Sequence, residues 1–357
     1  MDIFLLTALR SLQIMKLNHF EDIEESVAAF KKRFPTLLNP PTIENLTECL
    51  YEHLNINIEY RKFEPTEDVV KIRSVFKNKP QKTLFINKGL SDKQVRFLLA
   101  KECGYQLLSI EKRAQTTPDI KMESFDEVLN NFRASYFESA LLMDKTKMKK
   151  DLLSFFSKKN WSDDAFWALI EKYDVTPETF FHRMSQLLPK EFGITDLYSL
   201  RIYHNLDTDL FIMTKELNFT DHFSPKAVKD ERYCRRWTPI KLLQNLNKDK
   251  SKPYQLTAER VKKVNSDGSF FNISYAHSSS VRNKSNVSFT LGFYINDKAC
   301  EAFPLVTNPS LETKFINETC QRCPLPETDC SDRVAPPVVH EARLETENLK
   351  TKIELFI

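Results

Sequence analysis

Glycine is nearly absent from this chain. Five occur among 357 residues, at Gly89, Gly104, Gly193, Gly268 and Gly292, where an ordinary protein carries roughly 7%. Loops that bring backbone against a phosphate need clustered glycines, so a P-loop, a dinucleotide-binding fingerprint and a kinase glycine-rich loop are all excluded. The glycines that remain need local reasons. Gly104 lies inside a helical pattern, where glycine costs ~1 kcal/mol against alanine, and is expected to admit close approach of neighbouring backbone.

Hydrophobic residues at 41% and charged residues at 28% supply real cores and exclude a disordered chain. The length points to two or three domains. Fifty-two Lys+Arg against 49 Asp+Glu leave +3, too little to mark a nucleic-acid footprint. No apolar run approaches the ~18 residues that span a bilayer. Asp2 stands where a signal peptide carries base, so the expectation is a cytoplasmic protein with no membrane partner. Seven cysteines, an odd and sparse set, favour reduced thiols or a metal site over bridges.

The chain divides into four stretches. Residues 1–40 hold a helical connector pattern, one long helix or two short ones, with apolar residues from Phe4 to Phe30 at helical spacing. Residues 41–192 are helix-rich: Ile43 to His53, a helix opened by Ser91, one opened by Ser124 with Glu127 as a capping box, then Thr146 to Phe156, Asp163 to Tyr173 and Thr176 to Leu188. Three short β runs, Asn57 to Phe63, Ile72 to Phe76 and Thr83 to Ile86, predict a small antiparallel sheet. Residues 193–340 read as a mainly antiparallel α+β domain with strands near 197–203, 210–215, 254–264, 270–276 and 287–295 and one strong helix at 240–246. A charged tail, 341–357, follows.

Two constellations carry chemistry. The first is Arg96-Phe97-Leu98-Leu99-Ala100-Lys101-Glu102-Cys103-Gly104-Tyr105, an apolar helix with two special positions four apart and a glutamate beside the first. This is the frame of the zinc-peptidase motif His-Glu-x-x-His, in which two imidazoles take the ion and the glutamate activates its water. Lys101 and Tyr105 hold the ligand positions here. A Lys-Glu pair on a helix is also the ordinary pattern of a solvated face.

The second is Cys320-Gln321-Arg322-Cys323 with Cys330 seven residues on. A Cys-x-x-Cys knuckle sets two thiolates on one ion, and a third cysteine reaches it around the turn of Pro324 and Pro326. Cys234 is the favoured fourth ligand for a structural zinc, with Cys300, His340 and Asp329 behind it. Free thiols or a redox pair in a surface loop are the plainer alternative. Arg232, Arg235, Arg236, Lys241 and Lys226 cluster around Trp237. Arg235, Arg236 and Trp237 are candidate contacts for a small acyl or anionic ligand, and a solvated basic face is the competing expectation. The aromatic stretch from Phe155 to Phe181 reads as core packing.

The Arg96–Leu108 helix, together with Phe125-Asp126-Glu127 through Phe137-Glu138-Ser139-Ala140-Leu141-Leu142-Met143, resembles the ImmA/IrrE peptidase-like family. Its helices read Arg-Phe-x-x-x-His-Glu-Leu-Gly-His-x-Leu-Leu and Phe-Ala-x-x-Leu-Leu-Met-Pro. The resemblance implies a zincin-like α+β fold and a third metal ligand from the later helix, matched by Asn131, with Glu127 one turn earlier as the alternative. With Lys101, Tyr105 and Asn131 at the ligand positions, it implies the fold without the peptidase activity. Cys234-x-x-Trp237, Cys320-x-x-Cys323, Asp329-Cys330-x-x-Arg333 and Ala335-Pro336-Pro337 resemble the C-terminal domain of short-chain fatty-acyl transcriptional regulators, which carry an N-terminal helix-turn-helix of the XRE class. Residues 1–60 lack that pattern, so DNA contact is expected only through a missing domain or a partner. The combined expectation is a ligand-sensing regulator with a sensor-like second domain. The rivals are a divergent zinc peptidase using Glu102 and a module that homodimerises through the N-terminal helix.

Overall fold

The computed structural model describes residues 3–35, 37, 40–63, 72–117, 122–225, 227, 231–248, 253–278, 285–336 and 338–355. Lys226 and Pro337 lie outside the described residues, as does the side chain of His340. The fold is α+β. The chain forms two compact units, the first taking the described residues up to Phe155 together with Asp164–Gly193, the second taking Phe156–Asp163 and the described residues from Ile194 onward.

The N-terminal helical pattern forms two helices, α1 (Ile3–Met15) and α2 (Glu21–Arg33). On α2 the face of Ile23, Val27 and Phe30 is buried, while Glu21, Asp22 and Glu24 open the helix and Lys31, Lys32 and Arg33 close it, matching its dipole. Thr42 and Asn45 form a capping box at α3 (Ile43–Glu48), whose last turn relaxes into a π-helical turn at Cys49–His53. The small sheet takes β1 (Asn57–Arg61), β2 (Ser74–Lys77), β3 (Thr83–Asn87) and β4 (Thr116–Thr117) in the order β1-β3-β2-β4. It is mixed: β2 pairs antiparallel with β3 and β4, but β1 runs parallel to β3. The β2–β3 hairpin inserts its second strand beside β1, an order that alternation along each strand does not encode.

Two long helices form the centre of this unit, α4 (Asp92–Leu107) and α5 (Phe125–Leu142). From Val95 to Tyr105 every residue of α4 except Phe97 is buried, so this helix is covered on nearly all sides. A Cβ at Gly104 would sit 3.0 Å from the Ala134 carbonyl oxygen and 3.1 Å from the Phe137 Cβ. The glycine is therefore the close-approach point of α4 on α5. The helices α6 (Lys145–Phe156), α7 (Asp163–Lys172) and α8 (Pro177–Phe192) follow. α8 runs past the expected end at Leu188 because Pro189 forfeits only one N–H in the last turn. Gly193, left-handed at φ 69°, closes the helix.

Arg183, fully buried on α8, binds Glu24 of α2 with both terminal nitrogens, at 2.5 and 3.1 Å, and Glu24 also accepts from the Tyr136 hydroxyl of α5 at 3.0 Å. This network ties three helices. His182 sits 3.6 Å from Glu178.

The second unit is a six-stranded sheet of β5 (Leu197–Asn205), β6 (Leu210–Asn218), β7 (Tyr254–Lys263), β8 (Ser269–Ser278), β9 (Ser285–Tyr294) and β10 (Thr313–Ile316), ordered β10-β7-β8-β9-β5-β6. All pairs are antiparallel except β10 with β7. β10 was not expected, being four residues long with Lys314 in its middle. On one face α9 (Thr238–Lys248) buries Ile240, Leu243 and Leu246 with Trp237 against Leu200, Ile202, Val261 and Phe270. On the other, Phe156 stacks on Phe303 at 4.1 Å and Trp161 meets Phe271 at 5.9 Å, the packing expected of the aromatic stretch. The short helix α10 (Asp297–Ala302) and the tail helix α11 (Val338–Glu354) complete the described elements.

Candidate functional site

The helical spacing of α4 puts Lys101 and Tyr105 one turn apart, and α5 brings Asn131 to both. Asn131 Oδ1 accepts from Lys101 Nζ at 2.5 Å and from the Tyr105 hydroxyl at 2.8 Å. Three positions from two helices thus converge on one oxygen, with a buried ammonium among them. Glu127 is elsewhere: its carboxylate accepts from the Glu123 amide at 2.7 Å and its own amide donates to Ser124 at 3.3 Å, so it caps the start of α5. Asn131, and not Glu127, is the residue that meets Lys101 and Tyr105 here.

Glu102, 2% exposed, is held by Arg113, whose two terminal nitrogens donate to its two oxygens at 2.7 Å each. Gln106 donates a further bond at 2.8 Å. The Arg113 guanidinium lies between two rings, 3.7 Å from the Tyr105 centroid and 4.0 Å from that of Phe76, an arrangement that favours Arg over Lys. Local motif reading missed Arg113 because it falls in the loop after α4, outside the helix that carries the signal. Lys101, Glu102, Tyr105, Arg113, Phe76 and Leu98 line a cavity of about 10 Å³, room for about one water molecule.

Glu138, two turns beyond Asn131, is a second residue that the motif reading passed over. It stands where the Phe-Ala pattern carries alanine, is 1% exposed, and its Oε1 has no hydrogen-bond partner. Burial holds its carboxyl well above the usual range, with Lys101, Arg96 and Arg183 pulling the other way. A buried ammonium and a buried carboxyl therefore accompany one another in this core.

The second constellation gathers around one short bridge, Tyr233 with Thr319. The Cys234 amide donates to the Glu318 carbonyl at 3.1 Å, and the Cys320 amide to the Arg232 carbonyl at 2.8 Å. Cys234, Cys320, Cys323 and Cys330 are all free and buried. Burial pushes the Cys234 thiol up to about 11, opposed by backbone hydrogen bonds from Asn317 and Arg236, and the Cys320 and Cys323 thiols lie close enough to add to the rise. Burial raises Cys323 likewise, against a backbone hydrogen bond from Leu325, with Cys330 and Cys320 adding to the rise. The donor set suits zinc. Among the described residues, no three His, Cys, Asp or Glu side chains are drawn in to a single coordination point. Cys300 is on α10 and partly buried.

Trp237 is 2% exposed and donates its indole N–H to the Asn317 carbonyl at 2.6 Å. It is a core residue, touching a cavity of about 10 Å³ with Tyr198 and Asn272. The Arg235 guanidinium stacks on Phe211 at 4.3 Å. His204 stacks on the same ring at 4.2 Å and bonds Asp209 at 2.6 Å. Arg236 is partly exposed.

Residues 51–185 match the peptidase M78 family model, described as the IrrE N-terminal-like domain. This span contains Lys101, Glu102, Tyr105, Arg113, Asn131 and Glu138. A Mycobacterium tuberculosis transcriptional regulator shares the fold, with TM-score 0.61 and 15% identity over 92% of this chain and 92% of that one. No curated protein matches by sequence. No helix among the described residues is long and apolar enough to cross a membrane.

Proposed function

We propose that this chain is a regulatory protein whose IrrE-like unit is a non-catalytic scaffold and whose second unit senses a small acyl or anionic ligand. The observation that carries the first half is the convergence of Lys101 and Tyr105 on Asn131 Oδ1. A lysine ammonium repels a dication at the position of a metal ligand. Glu102, paired at both oxygens with Arg113, is not free to take a proton from water. The fold shared with a transcriptional regulator supports the regulatory role, and contact with DNA would come through a further domain or a partner.

In this reading Cys234, Cys320, Cys323 and Cys330 hold a structural zinc, which would supply a covalent-like staple between the Tyr233–Thr319 bridge and the loop after it. Arg235 and Arg236 are the proposed anion contacts. The test uses the full chain with added zinc and an unfolded protein substrate. The expected result is no hydrolysis above background, with one zinc per chain that survives Glu102→Gln and is lost in a Cys320→Ser/Cys323→Ser double variant. Hydrolysis that disappears in Glu102→Gln overturns the scaffold reading in favour of a divergent peptidase.

A further inference from the structure

Every described side chain of the tail helix α11 is exposed. A helix of 17 residues is marginal in water unless it buries an apolar face, and its β-branched residues make it weaker still. α11 carries such a face. Ala342, Thr346, Leu349 and Ile353 follow one another at intervals of four, three and four, which sets them in one stripe, and on it Leu349 and Ile353 are 58% and 50% exposed. In the amino-acid sequence the same spacing continues to Val339 before the stripe and to Phe356 after it. A strict alternation of threes and fours is the seam of a coiled coil, narrower than the stripe of a helix laid on a globular core.

The residue types on this stripe select its occupant. In heptad positions Thr346 and Ile353 take a, while Ala342 and Leu349 take d, and the sequence adds Val339 at a. β-branched residues at a with leucine at d favour two parallel helices. In that arrangement each g residue meets the e residue of the next heptad on the other helix. Position g is Glu345 and the following e is Lys350, both exposed, so two symmetric pairs of opposite charge would flank the seam. We propose that α11 is a dimerisation helix covered by α11 of a second copy of this chain, in a parallel two-stranded coiled coil with Leu349 and Ile353 in the seam and Glu345 facing Lys350 of the other copy. The contact is isologous and closes at two copies. It depends neither on the cysteine cluster nor on the peptidase-like core.

The experiment is sedimentation equilibrium of the full chain from about 1 to 100 µM, with thermal melts of the same samples. Because the seam is short, the wild type is expected to show a monomer–dimer equilibrium within this range. Leu349→Gln/Ile353→Gln is expected to weaken the dimer by more than about a hundredfold and to leave the melting of the monomer unchanged. Glu345→Lys or Lys350→Glu alone is expected to weaken it about tenfold, and the two together to restore it, because each exchanged residue again faces its opposite. Failure of that restoration overturns the parallel register. A wild type that is monomeric throughout overturns the proposal, as does a dimer that survives Leu349→Gln/Ile353→Gln and so rests on another surface. A monomeric wild type whose melting temperature drops in that variant places α11 on its own chain, which overturns the proposal as well.

Discussion

Arg113 meets Glu102 with two parallel hydrogen bonds of 2.7 Å, both partners being almost wholly inside the protein. Removing one partner leaves the other as an uncompensated buried charge, which costs about 3–5 kcal/mol. Arg113→Met is expected to lower unfolding stability by that amount in urea titrations, and adding Glu102→Gln to recover most of it. Equal stability of wild type and Arg113→Met would show that the pair does not hold this core.

The convergence on Asn131 gives a second expectation. Lys101→His, Tyr105→His and Asn131→Glu together place three metal-binding side chains where three hydrogen-bonded ones now meet. The triple variant is expected to bind one zinc more than the wild type, counted by elemental analysis after gel filtration. An unchanged count would mean that the three positions do not share one coordination point.

Gly104 offers a packing test. A methyl there must push against the Ala134 backbone, so the ~1 kcal/mol that alanine gains in helix propensity is outweighed by overpacking of about 1–3 kcal/mol. Gly104→Ala is expected to be net destabilising in thermal or denaturant melts. A more stable variant would show that α4 and α5 can separate freely.

Glu138 sets a pH dependence. In the unfolded chain its carboxyl titrates near ~4.3, and burial raises that value in the fold. Between the two, the native state keeps a proton that the unfolded state has lost, so this group's contribution is full at acid pH and declines as pH rises. Glu138→Gln mimics the protonated form. Its urea midpoint is expected to fall less than that of the wild type between pH 5 and pH 8, and an identical fall in both proteins would dismiss the effect.

Helices declared themselves in sequence because their signals are local: Ser91 and Ser124 ahead of apolar periodicity mark α4 and α5 within a residue or two. That Lys101 and Tyr105 lie one turn apart on one helix was legible for the same reason. Their hydrogen bonds to Asn131 were not, because the contact spans 26 to 30 residues. Arg113 and Glu24 escaped notice altogether: their ion-pair partners lie 11 and 159 residues away, and nothing in the adjacent residues encodes them. The parallel pairing of β1 with β3 was hidden likewise, because strand alternation fixes faces and not neighbours.

Leu5 and Leu9 of α1 pack on the cluster of Ala114, Met122 and Val128, the last of which is on α5, and α2 rests on α5 as well. The helix that carries Asn131 is thus also the seat of the N-terminal helices. The face of α5 that packs on α4 at Gly104 and the face that seats α1 and α2 therefore belong to one helix, so a substitution that reshapes one bears on the other.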